Sequence, residues 1–165
     1  MKKVTIVLLS LAVIVISSGL FVREMLFPIT NIDVIKECGE NYKVDPAVIA
    51  AVIHFETNFK ETPYKKGRPS GLMNITDESG MEIAKKAGIK IENKADVAKA
   101  ENNIRLGSFY ISENFNGKDL KEMMANWISR NGEVEEQDRS YAKKYYGDKI
   151  EKREKIYKFL YPSLK

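Results

Sequence analysis

The sequence predicts a mainly α-helical domain preceded by one apolar helix, and three observations carry that expectation. Apolar residues recur at helical spacing through most of the chain, no segment alternates convincingly with a period of two, and an uncharged run extends from Val4 to Val22. At 1.5 Å per residue that run makes a helix about 28 Å long, close to the thickness of a bilayer core. A cleaved signal has a shorter apolar core followed by small residues, a pattern that only Ser17 and Gly19 weakly fit here. Lys2 and Lys3 precede the run and favour a cytoplasmic N-terminus. Residues 1–28 are therefore expected to form an uncleaved membrane anchor, with a cleaved signal as the alternative. Residues 29–165 are expected to form one extracytoplasmic domain, because a chain of 165 residues suits one core better than two.

The elements of that domain follow in order. "NIDVIKECGENY" reads as a short helix with Ile32 and Ile35 on one side and Gly39 as its stop. "VDPAVIAAVIHFETNF" carries the clearest start signal, Asp45 as N-cap and Pro46 at the first helical position. Pro63, Gly67, Pro69 and Gly71 break the next stretch into a loop. Thr76 then caps a helix through "DESGMEIAKKA", which Gly88 closes. "KADVAKAENNIRLGSFYISENF", "LKEMMANWISR" and "YAKKYYGDKIEKREKIYKFLY" supply further helices.

Composition narrows the chemistry. The single cysteine, Cys38, excludes an internal disulfide and a cysteine metal cluster, and is expected as a small, partly buried helix residue. The single histidine, His54, speaks against a Ser-His-Asp triad and a zinc site, so neither a metal nor a cofactor is expected. The formal net charge of +4 falls by half once Lys2, Lys3, Arg23 and Glu24 are set aside. That balance suits an anionic cell-wall surface and is too weak to argue for nucleic acid.

Glu56 is the residue that invites a functional reading. At 100° per residue, Ile49, Val52, Ile53 and Glu56 share a sector of about 100° on one helix face, whereas His54 falls on the opposite side, where solvent exposure is expected. An apolar setting disfavours a charged carboxylate, which suits a general acid. The helix alone leaves a second reading open, a buried glutamate bonded to an arginine or to backbone amides. The following "PSGLMNIT" brings Gly71, Leu72 and Met73 beside Asn74, whose amide both donates and accepts, as a sugar's acetamido and hydroxyl groups require. Ordinary loop-to-core packing is the alternative there. Tyr64, Trp127, Tyr141, Tyr145 and Tyr146 are candidates to line a saccharide groove, against the plainer role of packing with a wet hydroxyl.

Taken in order, from about Ile32 to Tyr145, these pieces resemble the soluble lytic transglycosylase (SLT) domain family, peptidoglycan-cleaving relatives of goose-type lysozyme. Glu56, Thr57, Asn58 and Phe59 are similar to its Glu-Ser-x-Phe element, and "SGLMNIT" to its Gly-Leu-Met-Gln motif. Asn103, Ile104, Gly107, Tyr110 and Ile111 resemble its Asn-Ile-x-x-Gly-x-x-Tyr-Leu helix. "ANWISRNGEV" resembles its Ala-Tyr-Asn-Ala-Gly-x-Gly-x-Val segment, and "DRSYAKKY" its Thr-Arg-x-Tyr-Val element. The resemblance implies a lysozyme-like α fold and cleavage of the β-1,4 bond between N-acetylmuramic acid and N-acetylglucosamine. Glu56 would serve as acid and then base, and the muramoyl 6-hydroxyl would close a 1,6-anhydro ring without water. It further implies that Gly71, Leu72, Met73, Asn74, Trp127 and Tyr141 bind the glycan strand. No second catalytic carboxylate is evident, since Asp77 and Glu78 read as the first turn of a helix.

Several residues depart from the family pattern. Asn74 replaces glutamine, Lys65 a serine, Arg68 a glycine, Trp127 the active-site tyrosine and Ile128 the following asparagine. Trp127 is expected to lose a hydroxyl hydrogen bond while keeping a ring for stacking on a sugar. A water-using muramidase and a wall-binding scaffold without turnover remain as other readings. The setting is left open among growth, sporulation, and insertion of secretion or conjugation machinery.

Overall fold

The computed structural model describes residues 2–115 and 117–164, apart from the side chains of Lys2 and Lys3. The side chains of Lys2 and Lys3, on which the expected membrane orientation rests, and the residues Met1, Asn116 and Lys165 thus lie outside what is described. Among the described residues the chain forms eight α-helices: α1 Lys2–Phe21, α2 Ile32–Tyr42, α3 Pro46–Thr57, α4 Asp77–Ala87, α5 Ala100–Asn114, α6 Leu120–Trp127, α7 Glu136–Tyr141 and α8 Gly147–Leu160. They include no strand; extended backbone pairs only at two isolated bridges, Thr62–Gly71 and Ser70–Ile75, which pinch the loop between α3 and α4.

The start of α3 follows its sequence signals. Asp45 Oδ1 accepts from the Ala47 N–H at 2.8 Å, Pro46 occupies the first turn, and Asn58 ends the helix in the left-handed region at φ 52°. Every residue from Ala47 to Ile53 is buried, so α3 is apolar all round and runs through the centre, packed against α2 and α8. Burial of each Ile or Val there contributes about 1.5–3 kcal/mol. As the sequence predicts, Thr76 Oγ1 caps α4 by accepting from the Ser79 N–H at 3.3 Å, and Gly88 closes it at φ 68°.

Three expectations are corrected. Gly39 does not stop α2, which continues to Tyr42; a Cβ at Gly39 would lie 2.6 Å from Pro46 Cγ, so this glycine permits the close crossing of α2 on α3. His54 is half-buried rather than facing solvent, because Tyr157 of α8 and Phe27 cover that side of α3. The long helical stretches are also broken by tight turns at Lys94–Ala98 and Ile128–Asn131 and a wider one at Ala142–Tyr146.

Cys38 is buried, and burial pushes its thiol up to about 11, which leaves it unreactive. In α1, Val4, Leu8 and Ile14 are each at least 60% exposed, so its apolar surface has no protein cover. Its base is nevertheless tied to the domain. The Tyr161 hydroxyl donates to the Phe27 carbonyl at 2.8 Å, and the Tyr157 hydroxyl donates to the Pro28 carbonyl at 2.8 Å.

Candidate active site

Glu56 occupies the last turn of α3, with its side chain 11% exposed. Three donors converge on it. The Trp127 Nε1–H donates to Oε1 at 2.7 Å, Arg130 Nη2 donates to Oε2 at 2.8 Å, and Asn74 Nδ2 donates to Oε2 at 3.2 Å and to the Glu56 carbonyl at 3.3 Å. The apolar setting expected from the helix stripe is therefore corrected: the face of α3 that carries Glu56 meets a loop and a turn rich in N–H groups. The arginine bond of one reading is present, and it does not exclude the other, an acid at the same carboxyl.

Arg130 is held on several sides. Its side chain is only 8% exposed, its guanidinium stacks 4.4 Å from the Trp127 ring, Nε donates to the Met73 carbonyl at 3.2 Å, and Nη1 donates to the Trp127 carbonyl at 3.2 Å. Burial pulls its pKa below the usual arginine range, opposed by the neighbouring Glu56 charge. An ion pair this enclosed is tolerated only when the remaining donors find acceptors, and the two carbonyls serve that need.

The loop that delivers Asn74 is built from beneath by α5. Asn103 is fully buried; its Oδ1 accepts from the Met73 N–H at 2.6 Å, and its Nδ2 donates to the Ser70 carbonyl at 3.2 Å and the Val97 carbonyl at 2.9 Å. Gly71 sits at φ 76° with Asn103 where a Cβ would be, and a Cβ on Gly107 would lie 2.3 Å from Met73 Sδ. Thr57 Oγ1 also donates to the Leu72 carbonyl at 2.7 Å, joining the loop to α3. Asp77 braces the outer side by accepting from the Gly67 N–H and the Tyr64 hydroxyl, each at 3.1 Å. Burial alone would raise its carboxyl, but these bonds and that from the Glu78 N–H outweigh burial and hold it below the usual range. Lys65 and Arg68 lie exposed on the same loop.

The opposite wall is the turn after α6. Asn131 Oδ1 accepts from the Thr76 N–H at 2.9 Å, and its Nδ2 donates to the Asn74 carbonyl at 2.8 Å, clasping turn and loop together. Arg139 donates to Asn126 Oδ1 at 2.7 Å and to the Ala125 carbonyl at 3.1 Å. The Tyr110 hydroxyl donates to the Asn126 carbonyl at 3.0 Å, and its ring meets Trp127 edge-on at 5.8 Å. Between α4, α5 and this turn opens a cavity of about 740 Å³, with Glu82, Glu113, Arg130, Asn131 and Glu133 in its lining. Arg130 faces it, whereas Glu56 is not among its lining residues.

A family model described as the transglycosylase SLT domain matches residues 33–144. The chain belongs to the transglycosylase SLT family. This family is associated with peptidoglycan-cleaving glycosidase or transglycosylase activity. No curated protein matches the chain. The SLT match contains the whole constellation around Glu56 and leaves α1 and α8 outside it.

Of the SLT site residues expected from sequence, Glu56, Asn74 and Trp127 come together, while Gly71, Leu72 and Met73 are buried and contribute through the backbone. Trp127 is 1% exposed, so its expected sugar-stacking face is covered by Arg130 and Tyr110; its indole N–H supplies the donor that the missing hydroxyl was expected to remove. Tyr141 is 51% exposed and packs on Tyr145 and Tyr146 at 4.6 and 5.4 Å, with no bond to the Glu56 cluster. Arg130, Asn131 and Arg139 were not singled out from the sequence, and Asn103 entered only through its motif, without a role. Arg130 had a signal: it stands where the SLT motif has glycine, a charge at a position otherwise without a side chain.

Proposed function

We propose that residues 29–165 form a peptidoglycan lytic transglycosylase domain tethered to the cell membrane by residues 1–28. The observation that carries the reading is the convergence on Glu56 of the SLT loop through Asn74 and the SLT turn through Trp127, in a family associated with peptidoglycan cleavage. Glu56 gives a proton to the glycosidic oxygen between N-acetylmuramic acid and N-acetylglucosamine as the C–O bond breaks. The muramoyl 6-hydroxyl then attacks the anomeric carbon, and its proton returns to Glu56, leaving a 1,6-anhydro end and the carboxyl restored. One carboxylate suffices for that cycle, in keeping with the use of Asp77 as a loop brace. The tether is supported by the exposed apolar helix Val4–Leu26, which is long enough to cross a bilayer.

A second reading is favoured by the Glu56–Arg130 pair itself. A carboxylate held by an arginine, an indole and an amide is also what a wall-binding module without turnover would contain. Incubating purified cell wall with the full chain in detergent micelles separates the readings. Soluble muropeptides one water lighter than hydrolysis products support the transglycosylase. Muropeptides with free reducing ends indicate a muramidase, and co-sedimentation with wall but no soluble product indicates the binding module.

A further inference from the structure

Both carboxylate oxygens of Glu56 are already engaged: Oε1 by Trp127, and Oε2 by Arg130 and Asn74. Oε2 already takes two donors, so a glycosidic oxygen can approach it only if one of them leaves. Trp127 is buried between Tyr110 and the Arg130 guanidinium, and Asn74 sits in the left-handed region at φ 49° with its carbonyl held by Asn131. Arg130 is the donor of the three that lines the cavity of about 740 Å³. The same cavity offers it other partners. Glu113 and Glu133 line it, are exposed, and form no hydrogen bond or ion pair among the described residues.

We propose that Arg130 is a positioning residue that works as a latch, pairing with Glu56 in the closed site and moving into the cavity toward Glu113 and Glu133 when a saccharide takes its place. The inference rests on the reading of Glu56 as the general acid. The guanidinium keeps its charge and only changes carboxylates, while Glu56, an acceptor in the closed pair, takes up a proton from water once Arg130 has left and so holds the proton it gives to the glycosidic oxygen. Closed, the latch occupies the acid; open, it leaves Oε2 free to face the bond to be cut. Arg130 also carries the contacts that cover the Trp127 ring, so the same movement uncovers an aromatic surface beside the acid.

The test compares release of soluble muropeptides from purified wall by the full chain in detergent micelles, for the natural sequence, Arg130→Ala, Arg130→Lys and the double variant Glu113→Gln/Glu133→Gln. Arg130→Ala is expected to raise kcat about tenfold to a hundredfold, the size of one charge-assisted hydrogen bond, even though its melting temperature falls. Low-millimolar guanidinium ion is expected to bring that raised rate back down by refilling the vacated place. Arg130→Lys, which keeps the charge but not the planar fork, is expected to fall between the two and serves if the alanine variant does not fold. The double variant is expected to lower kcat several-fold, since it removes the open-state partners. A purely structural Arg130 would lower turnover along with stability. Folded Arg130 variants no faster than the natural chain, or a raised rate indifferent to guanidinium, overturn the latch while leaving the general acid in place. Absence of product from the natural chain and every variant overturns both; product from Arg130→Ala alone supports both.

Discussion

His54 and Glu56 lie two residues apart on the same apolar helix and meet different fates. On one side, His54 Nδ1 lies 2.9 Å from the Tyr157 hydroxyl, with Phe27 edge-on at 5.0 Å, so a neutral ring is wedged between α8 and the segment that follows α1. On the other, Glu56 faces an arginine, an indole and an amide drawn from a loop and a turn far along the chain. The polar residue itself does not decide whether a buried position is structural or chemical. What decides is the opposing surface: neutral hydroxyl and aromatic groups against His54, fixed donors beside a cavity against Glu56.

The largest effect is expected where the comparison is broken outright. Glu56→Ala strands the buried Arg130 charge, with an expected loss of about 3–5 kcal/mol in chemical denaturation. Glu56→Gln keeps one acceptor oxygen but sets an amide N–H₂ against the donor on the other side and leaves Arg130 without a counter-charge, so a smaller loss of stability than for alanine is expected, with muropeptide release down about 10²- to 10⁴-fold in chain that circular dichroism shows to be folded. Next comes Asn103→Ala, which leaves the Met73 N–H and the Val97 carbonyl without this partner, while the Ser70 carbonyl keeps the Ile75 N–H at 3.1 Å. About 1–3 kcal/mol is expected for each group that stays unpaired, read as a lower melting temperature and a looser loop in amide exchange.

Trp127→Phe sharpens the comparison more gently. It removes the N–H to Glu56 Oε1 while keeping a ring under Arg130, with an expected loss of about 1.5–3 kcal/mol in the same denaturation series. The smallest effect belongs to the His54 side and appears as pH dependence. Burial, with a contribution from Arg153, lowers the His54 pKa to about 4, against about 6.5 in an unfolded chain. Between those values the unfolded chain binds the extra proton, so stability present above about pH 6.5 is lost as pH falls toward 4. His54→Phe should flatten that acid limb of a melting-temperature profile, and the Tyr157 hydroxyl keeps its bond to the Pro28 carbonyl.

Much of this architecture could be read locally. Asp45 and Pro46 announce α3, and Thr76 and Gly88 bracket α4, because caps act within a turn of the helix they end. Gly39 was misread because a glycine that stops a helix and one that admits a neighbour look the same in sequence; only Pro46 packed 2.6 Å from its absent Cβ separates them. The turn at Ile128–Asn131 was hidden because the apolar spacing of α6 runs on into its first residue, Ile128. In the site, Glu56, Asn74 and Trp127 were legible through motif order. Asn103 was quoted within its motif, but its role as the brace beneath Met73 depends on a contact across 30 residues that no local pattern encodes. His54 was misplaced for the same kind of reason, since its cover comes from Phe27 and from α8 near the other end of the chain.

The central claim is that Glu56 performs acid chemistry on a glycan rather than merely closing an ion pair with Arg130. Mass spectrometry of the soluble material released from purified cell wall by the full chain tests it most directly. The account predicts muropeptides ending in 1,6-anhydromuramic acid, one water lighter than hydrolysis products and absent with Glu56→Gln. Undiminished release of the same products by a folded Glu56→Gln chain would contradict it, as would wall that binds the natural chain and stays intact whether or not Arg130 is replaced.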